Sequence, residues 1–197
     1  MQQKTAMTRL ALTGLAALMA SSAGCAFGNR HCDLKYENPV TPQSPSQNYS
    51  LSFDKFDDRN EHDSKCRAII GCVRNGYGFR TAEVKANNQL GDWFKDALSK
   101  ELSQAGYNFS PNSPKTLEGT VIHLYTDVFF TYNTKINLRV KLKDKENILY
   151  DGTFEAESNP LALFASESEY ANSSEQALQN AMREIVPKLT NELKKAK

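Results

Sequence analysis

The sequence has no excess of charge of either sign. Its 197 residues include 24 Lys and Arg and 23 Asp and Glu, which gives a formal net charge of +1. Nucleic-acid-binding domains usually carry a clear basic excess, so this balance argues against that class. After residue 20 the chain also has no apolar run that approaches the roughly twenty residues needed to cross a bilayer. The rest of the chain is therefore expected to lie in water.

The common signatures of catalysis and of cofactor binding are also missing from the sequence. The segment Gly76-Tyr77-Gly78 lacks the third glycine and the capped helix of a nucleotide-binding loop, so it is typical of a turn. No G-x-S-x-G nucleophile elbow occurs. The three histidines form no repeated ligand pair. We therefore predict no catalytic residue, no cofactor and no metal site, and we expect a protein that is not an enzyme.

A secretory signal is the clearest feature that the chain does contain. Lys4 and Arg9 supply a basic start, residues 10–20 form a short apolar run, and residues 21–24 are small. This combination is typical of a signal that is removed, and the apolar run is too short for a membrane span. The residue that follows the signal is Cys25.

Cys25 is the predicted lipidation site. Because Ala23-Gly24 precede it, the segment resembles a bacterial lipobox, in which the signal is cut before the cysteine and the cysteine is acylated, with palmitate among the expected chains. Several acyl chains on one residue hold a protein on a membrane. The next residue is Ala26 and not Asp, which by resemblance to enterobacterial lipoproteins favours the periplasmic face of the outer membrane. The alternative is ordinary secretion, with cleavage after Ala23 or Ala26.

Three cysteines remain if Cys25 is lipidated, namely Cys32, Cys66 and Cys72. One pair is able to form a disulfide in an oxidising compartment, and the third thiol then stays free. All three pairings are open at this point. We favour Cys66–Cys72, because both residues fall inside the predicted domain whereas Cys32 falls in the segment before it.

The composition divides the chain into three parts. Residues 1–24 are the signal peptide, residues 25–50 are a lipidated N-terminus with a disordered tether, and residues 51–197 are a single domain. The tether is predicted because Pro39, Pro42 and Pro45 alternate with polar residues, and such a stretch buries too little apolar area to fold. It is expected to act as a semi-stiff spacer.

Apolar residues spaced three or four apart predict two helices. The first covers residues 87–105 and is closed by Gly106, at a position where a helix needs a left-handed residue. The second is predicted to start at Ser173 or Ser174, and Ser173 with Gln176 fits a capping box. Pro187 removes an amide from this helix and is expected to kink or split it.

Alternating apolar and polar residues predict the strands. They are expected over residues 51–56, 68–73, 116–130, 135–143 and 148–157. The outward faces of the last two strands carry bases and acids respectively, so we expect them to pair with each other rather than to form a binding patch. The whole pattern predicts an α+β fold, with a mainly antiparallel sheet of four to five strands and two helices packed on one face.

The irregular stretch of residues 158–172 holds the predicted partner-binding candidates. It is broken by Pro160 and still carries the apolar residues Leu161, Leu163 and Phe164. Loops on rigid scaffolds carry function more often than other segments. The alternative is that this loop folds onto its own core.

Four aromatic residues support a different function, a carrier of lipid or glycan. The candidates for lining its pocket are Tyr125, Phe129, Phe130 and Tyr132. Aromatic residues in strands more often belong to a core, so the carrier is kept as the alternative.

Several short motifs, in this order, resemble the YajG-like bacterial lipoproteins. They are Asp57-Asp58-Arg59, Ile70-Gly71, residues 74–78, the helix with Trp93-Phe94, and Ala105-Gly106-Tyr107. The resemblance extends from Leu51 to the end of the chain. It implies a small α+β domain on the periplasmic side of the outer membrane, with no catalytic residues to assign. It also implies an accessory or scaffold role in envelope assembly, transport or secretion, with another envelope protein or a second copy as partner.

Overall fold

A computed structural model describes residues 28–47, 49–59, 68–75, 77–162 and 165–196. In chain order its elements are β1 (Arg30–Cys32), β2 (Ser50–Asp58), β3 (Ile69–Arg74), β4 (Arg80–Ala86), α1 (Leu90–Gln104), β5 (Asn108–Phe109), β6 (Lys115–Val128), β7 (Tyr132–Asp144), β8 (Asn147–Ser158) and α2 (Glu167–Lys195). These eight strands join one sheet, and the two helices pack against it.

The long strand β6 organises the sheet. One of its edges pairs with β7 in antiparallel fashion along the whole strand. Its other edge is shared by two shorter strands that lie one after the other. β2 runs parallel to the first half, with Ser52 opposite Thr116, and β3 runs parallel to the second half, with Val73 opposite Val128. The ends of β3 and β6 therefore lie side by side at one end of the sheet.

The predicted sheet is wrong in size and in strand direction. β8 pairs with β7, β4 with β3, β1 with β4 and β5 with β2, so that four of the seven pairings are parallel. The sheet is thus mixed and eight-stranded within an α+β type of fold. The antiparallel strands β6 to β8 are sequential and joined by short turns, which local patterns reveal. The parallel pairings join strands that are not joined by a tight turn, and local patterns do not identify such partners.

Both helices lie against the sheet and touch each other, so they share one face. Alternate residues of β7, from Tyr132 to Leu142, are buried in the layer between the sheet and the helices. Phe94 and Leu98 of α1 and Leu178 of α2 are fully buried in the same core. Burying one such side chain contributes about 1.5–3 kcal/mol, so this layer supplies the main stabilisation.

Ion pairs cover the opposite face of β7 and β8. Lys135 Nζ lies 2.9 Å from Glu157 Oε1. Arg139 donates two hydrogen bonds of 2.7 Å to the carboxylate of Asp151 and thereby lowers the pKa of that group. The bases of β7 therefore pair with neighbouring acids, as the sequence predicts.

Helix α1 ends as predicted but begins later. It starts at Leu90 instead of residue 87, and Gly106 follows it with a φ of +90°. A side chain at Gly106 would also meet the carbonyl oxygen of Pro45 at 2.1 Å. The glycine is therefore required both by its backbone conformation and by the segment that crosses it.

Helix α2 begins earlier than the sequence predicts. Its capping box is formed by Ser166 and Glu169, and Ser173 lies inside the helix. The Ser173 hydroxyl is buried and hydrogen-bonds to Thr134 Oγ1 at 2.7 Å. The helix continues through Pro187 to Lys195, so the proline does not split it.

The prediction of a disordered tether is wrong for the described part of residues 25–50. Residues 30–32 form β1, which pairs with β4, and Leu34 and Tyr36 are buried in the core. We call residues 33–47 the N-terminal strap, because this segment lies across the helices. Its prolines do prevent regular structure, but distant side chains hold it in place.

The strap is held mainly by one buried carboxylate of α1. Glu101 accepts hydrogen bonds from the amides of Val40 (2.7 Å) and Thr41 (2.8 Å) and from the hydroxyl of Tyr36. Burial and the hydrogen bond to Glu101 raise the pKa of Tyr36. Buried polar groups that find partners in this way avoid a large desolvation penalty, which explains why a polar segment is ordered here.

Candidate functional site

The predicted partner-binding residue Leu161 lies on the surface, with 76% of its side chain exposed. Its backbone forms an isolated bridge with Thr131, and the next residue donates a hydrogen bond to the carbonyl of Phe130. The loop around Leu161 is therefore tied to the turn between β6 and β7. The other two candidates, Leu163 and Phe164, lie outside the described residues.

Leu161 also stands on the rim of a groove, which has a cavity volume of about 460 Å³. The groove runs between the strap, Pro160 and helix α2. Its lining is Asn38, Tyr132, Pro160, Leu161, Glu169, Asn172, Ser173, Glu175, Gln176 and Gln179. We call it the α2 groove.

Hydrogen bonds fix the walls of the α2 groove. Tyr132 donates to Glu169 Oε2 at 2.8 Å, and the pKa of this tyrosine is raised by burial and by that bond. Glu175 accepts from the amides of Glu37 and Asn38 at 2.7 and 2.9 Å. With polar walls and one apolar side chain at the rim, the groove is suited to a peptide segment of another protein.

The four residues proposed to line a carrier pocket are not brought together. Tyr132 is buried and reaches the α2 groove, whereas Phe129 and Phe130 are exposed on the turn after β6. Tyr125 lies beside Cys72. Its pKa is raised mainly by burial and, to a smaller extent, by the hydrogen bond with Cys72. The geometry thus does not favour the carrier.

A second surface, which the sequence analysis missed, is a group of exposed aromatic residues. Tyr77 and Phe79 lie on the turn between β3 and β4, and Phe129 and Phe130 lie on the turn between β6 and β7. Because β3 and β6 are parallel and end side by side, the two turns leave the same end of the sheet. We call these four residues the aromatic tip. The only hint in the sequence was Tyr77, an aromatic residue inside the predicted turn, followed directly after that turn by Phe79.

The described cysteines are free thiols. Cys72 is buried and unbridged, so the favoured disulfide Cys66–Cys72 is not formed, and Cys66 itself lies outside the described residues. Cys72 Sγ lies 3.4 Å from Asp127 Oδ1. Burial raises the pKa of Cys32 to about 11, with a smaller contribution from Glu167. Both thiols therefore behave as core groups.

The Asp127 carboxylate connects β6 to the start of the β3–β4 turn. Arg74 donates to it through Nε at 2.7 Å and through Nη2 at 2.8 Å. These hydrogen bonds lower the pKa of Asp127. The pair stands between the two turns of the aromatic tip and fixes their relative position.

Within residues 28–47, 49–59, 68–75, 77–162 and 165–196, no cluster of His, Cys, Asp and Glu is suited to hold a metal ion. Neither described helix combines the length and the apolar character that crossing a membrane requires.

A family model described as an uncharacterized lipoprotein, Lipoprotein_16, matches residues 39–194. The chain belongs to this family. The YajG-like resemblance of the short motifs is thereby confirmed. Membership of a lipoprotein family implies a membrane-anchored location for the protein. The match begins inside the strap, so this family's domain includes a part of the segment that was predicted to be a tether.

Comparison with solved structures extends the fold beyond this lipoprotein family. The protein XCC0632 from Xanthomonas campestris, of family DUF330, is similar with 16% identity and a TM-score of 0.57, over 86% of this chain and 97% of that one. An uncharacterized protein is similar with 11% identity and a TM-score of 0.54, over 82% and 99% of the two chains. At such low identity these similarities establish the fold alone. No curated protein sequence matches the chain.

Proposed function

We propose that this lipoprotein is held on the periplasmic face of the outer membrane by acyl chains on Cys25. We further propose that it is a non-enzymatic scaffold or accessory subunit of an envelope assembly, transport or secretion system. The family membership supports the lipid anchor, and the lipobox-like residues before Cys25 support the position of the acyl group. Ala26 supports the outer membrane as the destination.

The observation that carries the scaffold role is Leu161 on the rim of the α2 groove. An apolar side chain with 76% exposure gains free energy when a partner covers it. Asn172 and Gln176 in the groove offer donors and acceptors that match the backbone of a bound segment. An apolar anchor with polar contacts around it is the usual anatomy of a protein interface.

The scaffold role is tested by photo-crosslinking in cells. A photoreactive residue replaces Gln176, which lines the groove. We expect a crosslink to one envelope protein or to a second copy of the chain, and we expect Leu161→Asp to abolish most of it. Ile148→Asp is the matched control, because Ile148 is 58% exposed and lies next to the turn at the opposite end of the sheet. A crosslink that is equally strong in both variants would contradict the proposed surface.

The anchor is tested separately by intact-mass analysis of the protein purified from membranes. The expected mass is that of residues 25–197 with acyl chains. An unmodified mass, or a protein that washes off the membrane, would contradict the anchor and leave the groove experiment unaffected.

A further inference from the structure

The aromatic tip contains four of the six large apolar side chains that are exposed among the described residues. Tyr77 is 88% exposed, Phe79 70%, Phe130 71% and Phe129 41%. The rings of Phe129 and Phe130 lie 4.2 Å apart between centroids. A group of exposed apolar side chains at one end of a sheet marks a surface that is covered in the working state of a protein.

Several described backbone groups of the β3–β4 turn find their hydrogen-bond partners within the turn itself. The side chain of Asn75 accepts hydrogen bonds from the amides of Tyr77 and Phe79, both at 3.0 Å. The amide of Asn75 donates to the carbonyl of Phe79, and Arg74 donates to the carbonyl of Gly78. Paired backbone groups lower the cost of leaving water, so this turn is able to enter an apolar medium.

Two backbone groups of the second turn of the tip are hydrogen-bonded to the loop that follows β8. The amide of Ala162 donates to the carbonyl of Phe130 at 3.1 Å, and the amide of Tyr132 donates to the carbonyl of Pro160 at 2.9 Å. Both turns therefore present aromatic rings on a backbone with several internal hydrogen bonds.

The described chain enters β1 from the same end of the sheet. β4 starts just after the β3–β4 turn and runs away from the tip, and β1 runs parallel to it with Arg30 opposite Val84. Gly28 and Asn29 therefore lie on the tip side of Arg30, and the side chain of Asn29 accepts a hydrogen bond from the amide of Glu83. Gly28, the first described residue, lies three residues after Cys25.

The short distance in sequence limits the position of the domain. Three residues span at most about 10 Å when fully extended. A lipid-bearing Cys25 lies at the membrane surface, so Gly28 lies within that distance of it. A helix with its side chains is about 10–12 Å thick, which leaves too little room for another protein between this end of the sheet and the lipid.

We infer that the aromatic tip enters the lipid–water interface of the membrane that holds the anchor, so that the domain docks end-on. The inference rests on the acylation of Cys25 proposed above. Aromatic residues are enriched at this depth because their rings suit the boundary between headgroups and acyl chains. The tip thereby adds a second contact to the acyl anchor and fixes the orientation of the α2 groove relative to the bilayer.

The inference is tested with the mature acylated protein in vesicles of phosphatidylethanolamine and phosphatidylglycerol. Phe130→Trp and Phe79→Trp place a fluorescent reporter on each turn, and Ile148→Trp is the control at the opposite end of the sheet. Trp93 is buried and gives the same background in all variants and in the wild type. Part of the lipid is brominated near the headgroup end of its acyl chains and quenches tryptophan on contact.

We expect brominated lipid to remove most of the added emission of Phe130→Trp and Phe79→Trp and to leave that of Ile148→Trp unchanged. Equal quenching in all three variants would overturn the inference. If the tryptophan emission of the tip variants changes with the number of protein molecules per vesicle but not with brominated lipid, a second copy of the chain covers the tip. This result would also overturn the inference. The mass of each sample is measured first, since an unacylated protein refutes the anchor, whereas an acylated but unquenched one refutes only the docking.

Discussion

The N-terminal strap and the β6–β8 meander pack on the same helices and are held in opposite ways. The meander consists of consecutive antiparallel strands, whose buried faces are apolar and whose outer faces carry cross-strand ion pairs. The strap has no ladder over residues 33–47, and its anchor Glu101 lies some 60 residues further along the chain. The meander is therefore specified by its own residues, whereas the order of the strap is specified by residues elsewhere.

This difference shows that a polar, proline-rich composition does not by itself make a segment disordered. Such a segment buries little apolar area of its own, but it is able to satisfy buried hydrogen-bonding groups of a helix that would otherwise be unpaired.

The largest effect is expected in the meander. Leu138 of β7 is fully buried, and Leu138→Ala is predicted to lower the free energy of unfolding by about 4 kcal/mol, because it removes a packed side chain and leaves a cavity. Urea denaturation measures this loss. Lys135→Ala on the exposed face of the same strand is the control and should change stability by less than about 0.5 kcal/mol. A loss below 1 kcal/mol for Leu138→Ala would mean that the meander is not held by its apolar face.

Glu101→Ala is predicted to lower the free energy of unfolding by about 3 kcal/mol. The reason is that the amides of Val40 and Thr41 and the hydroxyl of Tyr36 lose their acceptor. Hydrogen exchange should accelerate at these amides and not in β6–β8. Ser103→Ala, on the exposed side of the same helix, is the control. Unchanged protection of the strap in Glu101→Ala would show that Glu101 does not hold this segment in place.

Cys32, immediately before the strap, makes stability sensitive to alkaline pH. Its pKa is raised from the ordinary 9.0 to about 11 by burial, so the contribution of the neutral thiol is complete below pH 9 and is lost as the pH rises towards 11. This contribution is at most about 2–3 kcal/mol. Stability measured from pH 8 to 11 should fall less steeply in Cys32→Ala than in the wild type, and parallel curves would show that the thiol is not buried.

The smallest effect concerns the Arg74–Asp127 pair. Arg74 lowers the pKa of Asp127, so the stabilisation is present above the ordinary value of 3.8 and is lost as the pH falls through the lowered value. Because both groups are partly exposed, Asp127→Asn should cost less than about 1 kcal/mol at pH 7. Its stability should also fall less than that of the wild type between pH 4 and pH 2. An identical acid response would show that the pair does not stabilise the fold.

Local patterns in the sequence account for the elements whose partners are close along the chain. The alternation in β7 and β8, the apolar stripe of α1 and the closing role of Gly106 were all readable, because each depends on spacing within a few residues. The strand β4 was missed, since its buried residues are small (Ala82, Val84 and Ala86) and its alternation is weak. The parallel partners of β6 were missed because their pairing depends on the whole topology.

Of the two candidate surfaces, one is readable from local sequence and the other depends on the topology. Leu161 was recognisable as an apolar residue in an irregular loop. The aromatic tip was not, because its two halves, around Phe79 and Phe130, are separated by about fifty residues and meet only through the parallel pairing of β3 with β6. The sequence contains two candidate capping boxes for α2, and the one at Ser166 and Glu169 forms, whereas Ser173 is buried inside the helix.

The shortness of the leader between Cys25 and Gly28 has a consequence for how this lipoprotein finds other molecules. With Cys25 acylated as proposed above, the domain stays close to the membrane and diffuses laterally together with one leaflet. Encounters with other embedded proteins then take place in two dimensions and at a constant height, so that any molecule able to reach the α2 groove must either share that leaflet or extend down to it.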